Sequence, residues 1–209
     1  MKGTIYLVGI GPGDDVHLTP EASQLLHKSP VVIGNKHTLS QVRRLIPQNA
    51  DFLEISHGPL ERSRAAAEKA EAGHDVAIVS PGHPGVYAIA STLMSFLRDN
   101  NQDIKVKVIP GLTLADYVAA RLGSPLGADY AVISLADRAG SWSDIKKRLR
   151  HVIKADMVVV IYNPVVIKKK PSRLRLTIQM ASAARWYSMD RSKRMDKLGL
   201  NSWSPFQNR

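Results

Sequence analysis

The sequence predicts an α/β protein whose strands form mostly parallel sheets. Short runs of β-branched residues alternate with amphipathic segments over about the first 164 residues, as expected of a chain that passes repeatedly from strand to helix. Several of these runs end directly in loops rich in glycine and proline, and the loop at residues 110–113 divides the chain. We therefore expect an N-terminal domain at residues 1–110, the start of a C-terminal domain at 111–164, and a basic tail at 165–209.

The first domain is predicted to contain five strands. Residues 4–10 form the first strand, after which Thr19 is placed as an N-cap, with Pro20 at the first helical position and Glu21 in the first turn. This predicts a helix that continues to Lys28. The same signals predict, in chain order, strand 31–34, helix 39–45, strand 52–55, helix 60–72, strand 75–80, helix 86–98 and strand 104–109.

The second domain is predicted to begin with a helix at residues 114–122, followed by a strand that precedes Leu135. Ser141 caps a basic helix that runs to Lys154, and residues 156–161 form a further buried strand. Residues 177–186 are compatible with a helix, whereas residues 192–209 contain no recognisable element. The second domain is therefore expected to be incomplete.

Composition and charge exclude several classes of protein. The chain has 209 residues, 44% of them hydrophobic and 22% charged, which is ordinary globular composition. It has no cysteine, so disulfides and thiolate chemistry are excluded, and we expect a cytoplasmic protein. No apolar run approaches the ~20 residues that span a bilayer, and the first ten residues do not resemble a signal peptide. The seven histidines lack metal-type spacing, so we expect no metal site.

The net charge of +11 lies almost entirely in the tail. Residues 1–164 contain 18 basic and 16 acidic side chains, whereas residues 165–209 contain 11 basic and 2 acidic ones. The first 164 residues therefore give no reason to expect binding to nucleic acid. The tail also contains Trp186, Tyr187, Trp203 and Phe206, and a polyanion- or RNA-binding function through this segment is one alternative.

Two loops at predicted strand ends are candidates for ligand binding. The first has glycines at 9, 11 and 13 with Pro12 between them, which departs from the Gly-x-Gly-x-x-Gly of dinucleotide-binding folds and excludes a nicotinamide or flavin cofactor. The second, residues 80–87, is a stiff loop with two prolines and two glycines at the edge where open α/β sheets bind ligands. Either loop is also compatible with a plain turn, and a lone histidine such as His83 is more often structural than catalytic.

Five motifs in order resemble the tetrapyrrole (corrin/porphyrin) methylases. They are VGIGPGD, SPGHPGVYAIA, IPGLT, ISLAD and IYNP, and they cover residue 1 to about residue 170. The last two are most similar to the precorrin-3B C17-methyltransferase branch. The resemblance implies two α/β domains with the active site in the cleft between them, and a homodimer. It also implies methylation of carbon-17 of a precorrin-3-type tetrapyrrole with ring contraction, in cobalamin biosynthesis. From the apolar runs and the charge of the first 164 residues, we expect no membrane partner and do not expect a nucleic-acid partner.

The resemblance also implies the residues of the site. S-adenosyl-L-methionine would contact Pro12, Gly82, His83, Pro84, Gly85, Val86, Tyr87, Thr113, Leu114 and Tyr162, and the macrocycle would contact Gly13, Asp14, Ser134 and Asp137. Ring contraction needs proton transfers, for which Asp14, His83 and Asp137 are open candidates.

Two departures from the family affect this prediction. The family usually has a carboxylate where this chain has His83, a change that is expected to remove a hydrogen-bond acceptor. The family also continues past IYNP with further strands, whereas this chain becomes basic and patternless. We therefore expect a frameshift or divergent truncation near residues 168–175, and a weakly active or inactive family member is a further alternative.

Overall fold

The computed structural model describes residues 1–136 and 139–163, together with the backbone of residues 186–188. The chain divides into two compact units, the first being Met1–Leu114 and the second starting at Ala115. Asp137, Arg138 and most of the predicted basic tail, including the expected frameshift position, lie outside the described residues.

The first unit is a five-stranded parallel sheet in the order β3-β2-β4-β1-β5. Ile5 of β1 pairs with Val76 of β4 on one side and with Val106 of β5 on the other. The elements are β1 (Ile5–Gly9), α1 (Pro20–Leu26), β2 (Val31–Gly34), α2 (Lys36–Val42) with a 3-10 turn (Arg43–Leu45), β3 (Asp51–Glu54), α3 (Pro59–Glu71), β4 (Val76–Ser80), α4 (Ile89–Asp99) and β5 (Val106–Ile109).

Helices cover both faces of this sheet because its three inner strands, β2, β4 and β1, are apolar on both sides, as parallel sheets require. On one face, Ile78 packs with Ala66 of α3 and Leu93 of α4. On the other, Ala77 packs with Leu26 of α1 and Leu39 of α2. Consecutive residues of β4 therefore face opposite helical layers, and all five residues of this central strand are buried.

The second unit contains a parallel sheet in the order β6-β7-β8. Its core forms where Ile145 and Leu149, one turn apart on a helix, pack against Ile133 and Ile161 of two strands. The elements are α5 (Leu114–Arg121, whose first residue belongs to the first unit), β6 (Tyr130–Ser134), α6 (Trp142–Lys154), β7 (Val158–Tyr162) and β8 (Trp186–Ser188).

The α/β fold class with parallel sheets is confirmed, and three predicted helix boundaries are wrong. The second helix starts at Lys36 instead of residue 39, because Asn35 caps it. The fourth helix starts at Ile89 instead of residue 86, because Tyr87 adopts φ +47° and Ala88 is extended. Trp186, the predicted end of a helix, instead begins β8, whose backbone pairs with β7. Among the residues that the structure describes, no helix is both long and apolar enough to cross a membrane.

Candidate functional site

Three loops of the first unit leave the same edge of its sheet, at the carboxyl ends of β1, β4 and β5. The helix that follows β1 packs on one face of the sheet, and the helix that follows β4 packs on the other. Since β1 and β4 are neighbours, this is a topological switch point, where open α/β sheets form their ligand crevice.

Glycine backbones hold these three loops together. A Cβ atom on Gly111 would lie 2.3 Å from the carbonyl oxygen of Gly82 and 2.6 Å from the carbonyl carbon of Gly9. The backbones of Gly11 and Gly82 also exchange hydrogen bonds, at 2.8 and 3.3 Å. The spacing of the glycines thus has a packing reason, because any side chain at Gly9 or Gly111 would overlap backbone.

The first loop, residues 10–19, is held by its own polar side chains. The Asp14 carboxylate accepts the backbone N–H of His17 at 3.0 Å and lies 2.5 Å from the His17 ring nitrogen Nδ1. Asp15 forms an ion pair with Arg44. Thr19 caps α1 by accepting the Ala22 N–H, and its hydroxyl also donates to the Pro110 carbonyl at 3.4 Å. The predicted cap therefore also ties the first loop to the loop that follows β5.

The second loop, predicted at residues 80–87 and observed between β4 and α4 at residues 81–88, is shaped by His83. The ring nitrogen Nδ1 of His83 accepts the Gly85 N–H at 2.9 Å, and the His83 carbonyl accepts the Val86 N–H at 3.1 Å. The imidazole therefore supplies one acceptor to this loop, where a carboxylate would offer two oxygens. Tyr87 then turns the chain with its left-handed φ of +47°, a conformation that non-glycine residues rarely adopt and that clusters at functional sites.

The third loop brings predicted ligand residues next to the second. A Cβ atom on Gly82 would meet the Leu114 side chain at 3.6 Å and the Leu114 backbone nitrogen at 3.7 Å. Thr113, beside it, is half-buried. Within the first unit, the structure therefore brings Gly82 and Leu114 together, and the Gly11–Gly82 bridge brings the Pro12 loop to the same edge.

In the second unit, two further motifs meet at the carboxyl ends of β6 and β7. The Ser134 hydroxyl oxygen accepts the Asn163 side-chain N–H at 2.8 Å and the Ala136 backbone N–H at 3.2 Å. The carbonyl of Tyr162 accepts the Leu135 N–H at 3.0 Å. We call this arrangement the Ser134–Asn163 clasp. Ser134 is only 2% exposed, so the clasp is part of the core of this unit.

Three predicted site residues are not among those that the structure places at the glycine-rich edge of the first unit. Tyr162 and Ser134 belong to the second unit, and Asp137 lies outside the described residues. Asn163 was not predicted as a site residue, although its place in the IYNP motif was a signal, and the packing role of Gly111 was not predicted either. Among the described residues, no group of three or more His, Asp or Glu side chains is placed to hold a metal ion.

The fold and the strand-end loops define a class of two-unit α/β protein in which glycine-rich turns line the carboxyl-end edge of a parallel sheet. The sequence profile of the Tetrapyrrole (Corrin/Porphyrin) Methylases matches residues 4–191, so the chain belongs to this family. The match continues past residue 170, the limit that the motifs suggested.

Two curated relatives are similar over most of the chain. "Cobalamin biosynthesis protein CobIJ" of Mycobacterium bovis is 38% identical over 81% of this chain and 33% of its own length. "Precorrin-3B C(17)-methyltransferase" of a Sinorhizobium species is 34% identical over 83% of this chain and 69% of its own. The chain thus spans about a third of the first relative and about two thirds of the second.

Two solved structures resemble the fold. The crystal structure of the methyltransferase CobJ has a TM-score of 0.76 at 30% identity, over 85% of this chain and 74% of that one. The uroporphyrin-III C-methyltransferase of Thermus thermophilus, complexed with S-adenosylhomocysteine, has a TM-score of 0.63 at 24% identity, over 86% of this chain and 77% of that one. The second likeness concerns the fold alone.

Proposed function

We propose that this chain methylates carbon-17 of a precorrin-3-type tetrapyrrole, with contraction of the ring, as a step of cobalamin biosynthesis. The two curated relatives, one a cobalamin biosynthesis protein and the other a precorrin-3B C(17)-methyltransferase, support the pathway and the reaction. The observation that carries the proposal is the joining of three strand-end loops through Gly9, Gly82 and Gly111 at the switch point of the sheet. Such an edge presents backbone groups and little side-chain bulk to a ligand.

The methyl donor in this proposal is S-adenosyl-L-methionine, which supplies a methyl group already activated by the sulfonium. The second loop fits such a ligand in three respects: Gly85 is exposed, Tyr87 is exposed and strained, and Gly82 places no side chain between the loops. The residues that would hold the donor are Gly82–Tyr87, Thr113, Leu114 and Tyr162, with Pro12 nearby. The Thermus thermophilus enzyme of the same fold was solved with S-adenosylhomocysteine, the demethylated form of this donor, which supports the choice of donor.

The chemistry asks the protein chiefly to orient the two reactants and to exclude water. The residues proposed to contact the macrocycle are Gly13, Asp14, Ser134 and Asp137. Asp14 is exposed and uses one oxygen to hold His17, so its other oxygen is available for proton transfer during ring contraction. Ser134 is only 2% exposed and its hydroxyl oxygen accepts two hydrogen bonds, so its contact with the macrocycle would be made by its backbone. The proposal includes a homodimer, which light scattering would test.

Calorimetry with S-adenosylhomocysteine, followed by incubation with the methyl donor and a precorrin-3-level tetrapyrrole, tests the proposal. We expect saturable binding and a product that has gained the mass of one methyl group, with the metal-free and the cobalt-containing substrates assayed in parallel. Absence of binding, or binding without methyl transfer to either substrate, would overturn the proposed function.

Gly82→Ala and Gly123→Ala form a matched pair for this test. Both glycines have left-handed φ values, +62° and +79°, so both variants carry backbone strain of the same kind. Only Gly82 lies in the proposed donor-binding loop, residues 82–87, whereas nothing lies within 4 Å of a Cβ atom on Gly123. We expect Gly82→Ala to bind S-adenosylhomocysteine about tenfold more weakly than Gly123→Ala.

A further inference from the structure

We propose that His83 is a positioning residue that sets the backbone of the donor loop through its ring nitrogen Nδ1, and that it does not transfer a proton. The inference rests on the proposed function, in which residues 82–87 hold the methyl donor. It adds a role for the one position in this loop where the chain departs from the carboxylate that is usual in the family.

The geometry is that of a side chain closing a turn on its own backbone. Nδ1 of His83 lies 2.9 Å from the backbone nitrogen of Gly85, two residues further on. Asp and Asn make the same connection in Asx turns, where a side-chain oxygen accepts the N–H of the second residue after it. The imidazole therefore takes the place of a carboxylate oxygen as the acceptor that closes the turn.

The ring also packs against the residue that it binds. A Cβ atom on Gly85 would lie 3.2 Å from both Cε1 and Nδ1 of His83, so the absence of a side chain at Gly85 admits the ring. Two backbone hydrogen bonds continue the turn, from Val86 N–H to the His83 carbonyl and from Ala90 N–H to the Pro84 carbonyl, each 3.1 Å long. Tyr87, which follows this turn directly, has the left-handed backbone conformation.

This hydrogen bond determines which nitrogen of the ring carries the proton. Because Nδ1 accepts the Gly85 N–H, its lone pair is in use and the neutral ring is protonated at Nε2. Neither nitrogen is then available as a base. Taking up a second proton would occupy Nδ1 and break the bond that closes the turn. A proton-transfer role would thus oppose the structural role, which is why we separate them.

Three substitutions distinguish the two roles. His83→Asp and His83→Asn both keep an acceptor that can reach the Gly85 N–H, whereas His83→Ala has none, and Asn cannot transfer a proton. We expect His83→Ala to bind S-adenosylhomocysteine about 3- to 10-fold more weakly, the effect of one neutral hydrogen bond, and to raise the donor KM more than it lowers kcat. His83→Asn and His83→Asp should restore the affinity. His57→Ala, at an exposed histidine outside the loop, is the control.

The positioning role is overturned if His83→Ala binds the ligand as the unsubstituted protein does, or if His83→Asn restores the affinity but has the same lowered kcat as His83→Ala at saturating donor. The second outcome would indicate that the imidazole transfers a proton.

A measurement on the ligand-free protein keeps this test separate from the proposed function. Nitrogen chemical shifts of His83 should report a proton on Nε2 and none on Nδ1, and the Gly85 amide hydrogen should exchange faster in His83→Ala. A proton on Nδ1, or equal exchange of Gly85 in both proteins, would overturn the inference about His83. Failure of the unsubstituted protein to bind S-adenosylhomocysteine would instead overturn the proposed function and leave the turn intact.

Discussion

Each of the two units joins its own strand-end loops to one another, but the two do so by different means. In the first unit, backbone meets backbone, because Gly9, Gly82 and Gly111 approach more closely than any side chain allows. In the second unit, side chains make the connection through the Ser134–Asn163 clasp. The backbone junction has no room for a further atom. A side chain of the clasp, in contrast, can be replaced so that its hydrogen bonds are lost while most of its packing is kept. The two kinds of junction should therefore respond differently to substitution.

The largest effect is expected from adding one methyl group to the backbone junction. The new Cβ atom of Gly111→Ala would lie 2.3 Å from the Gly82 carbonyl oxygen and 2.6 Å from the Gly9 carbonyl carbon, which are both backbone atoms. Overpacking against side chains costs about 1–3 kcal/mol, and we expect a loss at or above the top of that range because backbone cannot change rotamer. Urea denaturation followed by circular dichroism measures the free energy of unfolding.

Gly127→Ala is the matched control for this substitution. Its Cβ atom would be 3.8 Å from the nearest atom, the Ser124 carbonyl oxygen, and its φ is not left-handed. We expect no loss, and a gain of up to about 1 kcal/mol through the unfolded state. Equal stability of the two variants would contradict the backbone junction.

A smaller effect is expected from breaking the clasp. Ser134→Ala leaves the Asn163 amide and the Ala136 N–H without their shared acceptor, at a site where Ser134 is 2% exposed. The cost should be about 1–3 kcal/mol in the free energy of unfolding. Ser91→Ala, at an exposed serine of α4, should change it by no more than about 0.5 kcal/mol.

A double-mutant cycle sharpens this prediction. If the clasp is a direct interaction, Asn163→Ala should cost less in the Ser134→Ala background than in the unsubstituted protein. Strict additivity of the two substitutions would indicate that the 2.8 Å hydrogen bond contributes nothing to stability.

The smallest effects are expected at two helix caps, one in each unit. Thr19 caps α1 and Ser141 caps α6, each accepting a backbone N–H at 3.2 Å. Replacing either cap by alanine should lower the free energy of unfolding by about 1 kcal/mol. Thr19 also donates to the Pro110 carbonyl, so Thr19→Ala should in addition speed amide exchange in the first and third loops. Unchanged exchange there would show that Thr19 is a cap and nothing more.

Features that depend on near neighbours were predictable. Thr19 and Ser141 were recognised as caps because the bond they make spans three residues, and both helices begin where those caps place them. The start of α4 was missed because His83 and Tyr87 hold the preceding turn outside the helical region, and no pattern identifies histidine as a turn-closing residue. The role of His83 became visible only when its ring was seen beside the Gly85 nitrogen.

By itself, the sequence determined the alternation of strands and helices, the parallel α/β class, the helix caps and the motifs that place the chain in its family. These depend on residue types within a few positions of one another, which hydrophobic periodicity and capping chemistry record directly. Only the tertiary structure decided that Gly9 meets Gly111 and that Ser134 holds Asn163. Such contacts join residues tens of positions apart, and they follow from the order of strands in each sheet, which depends on how the whole chain packs.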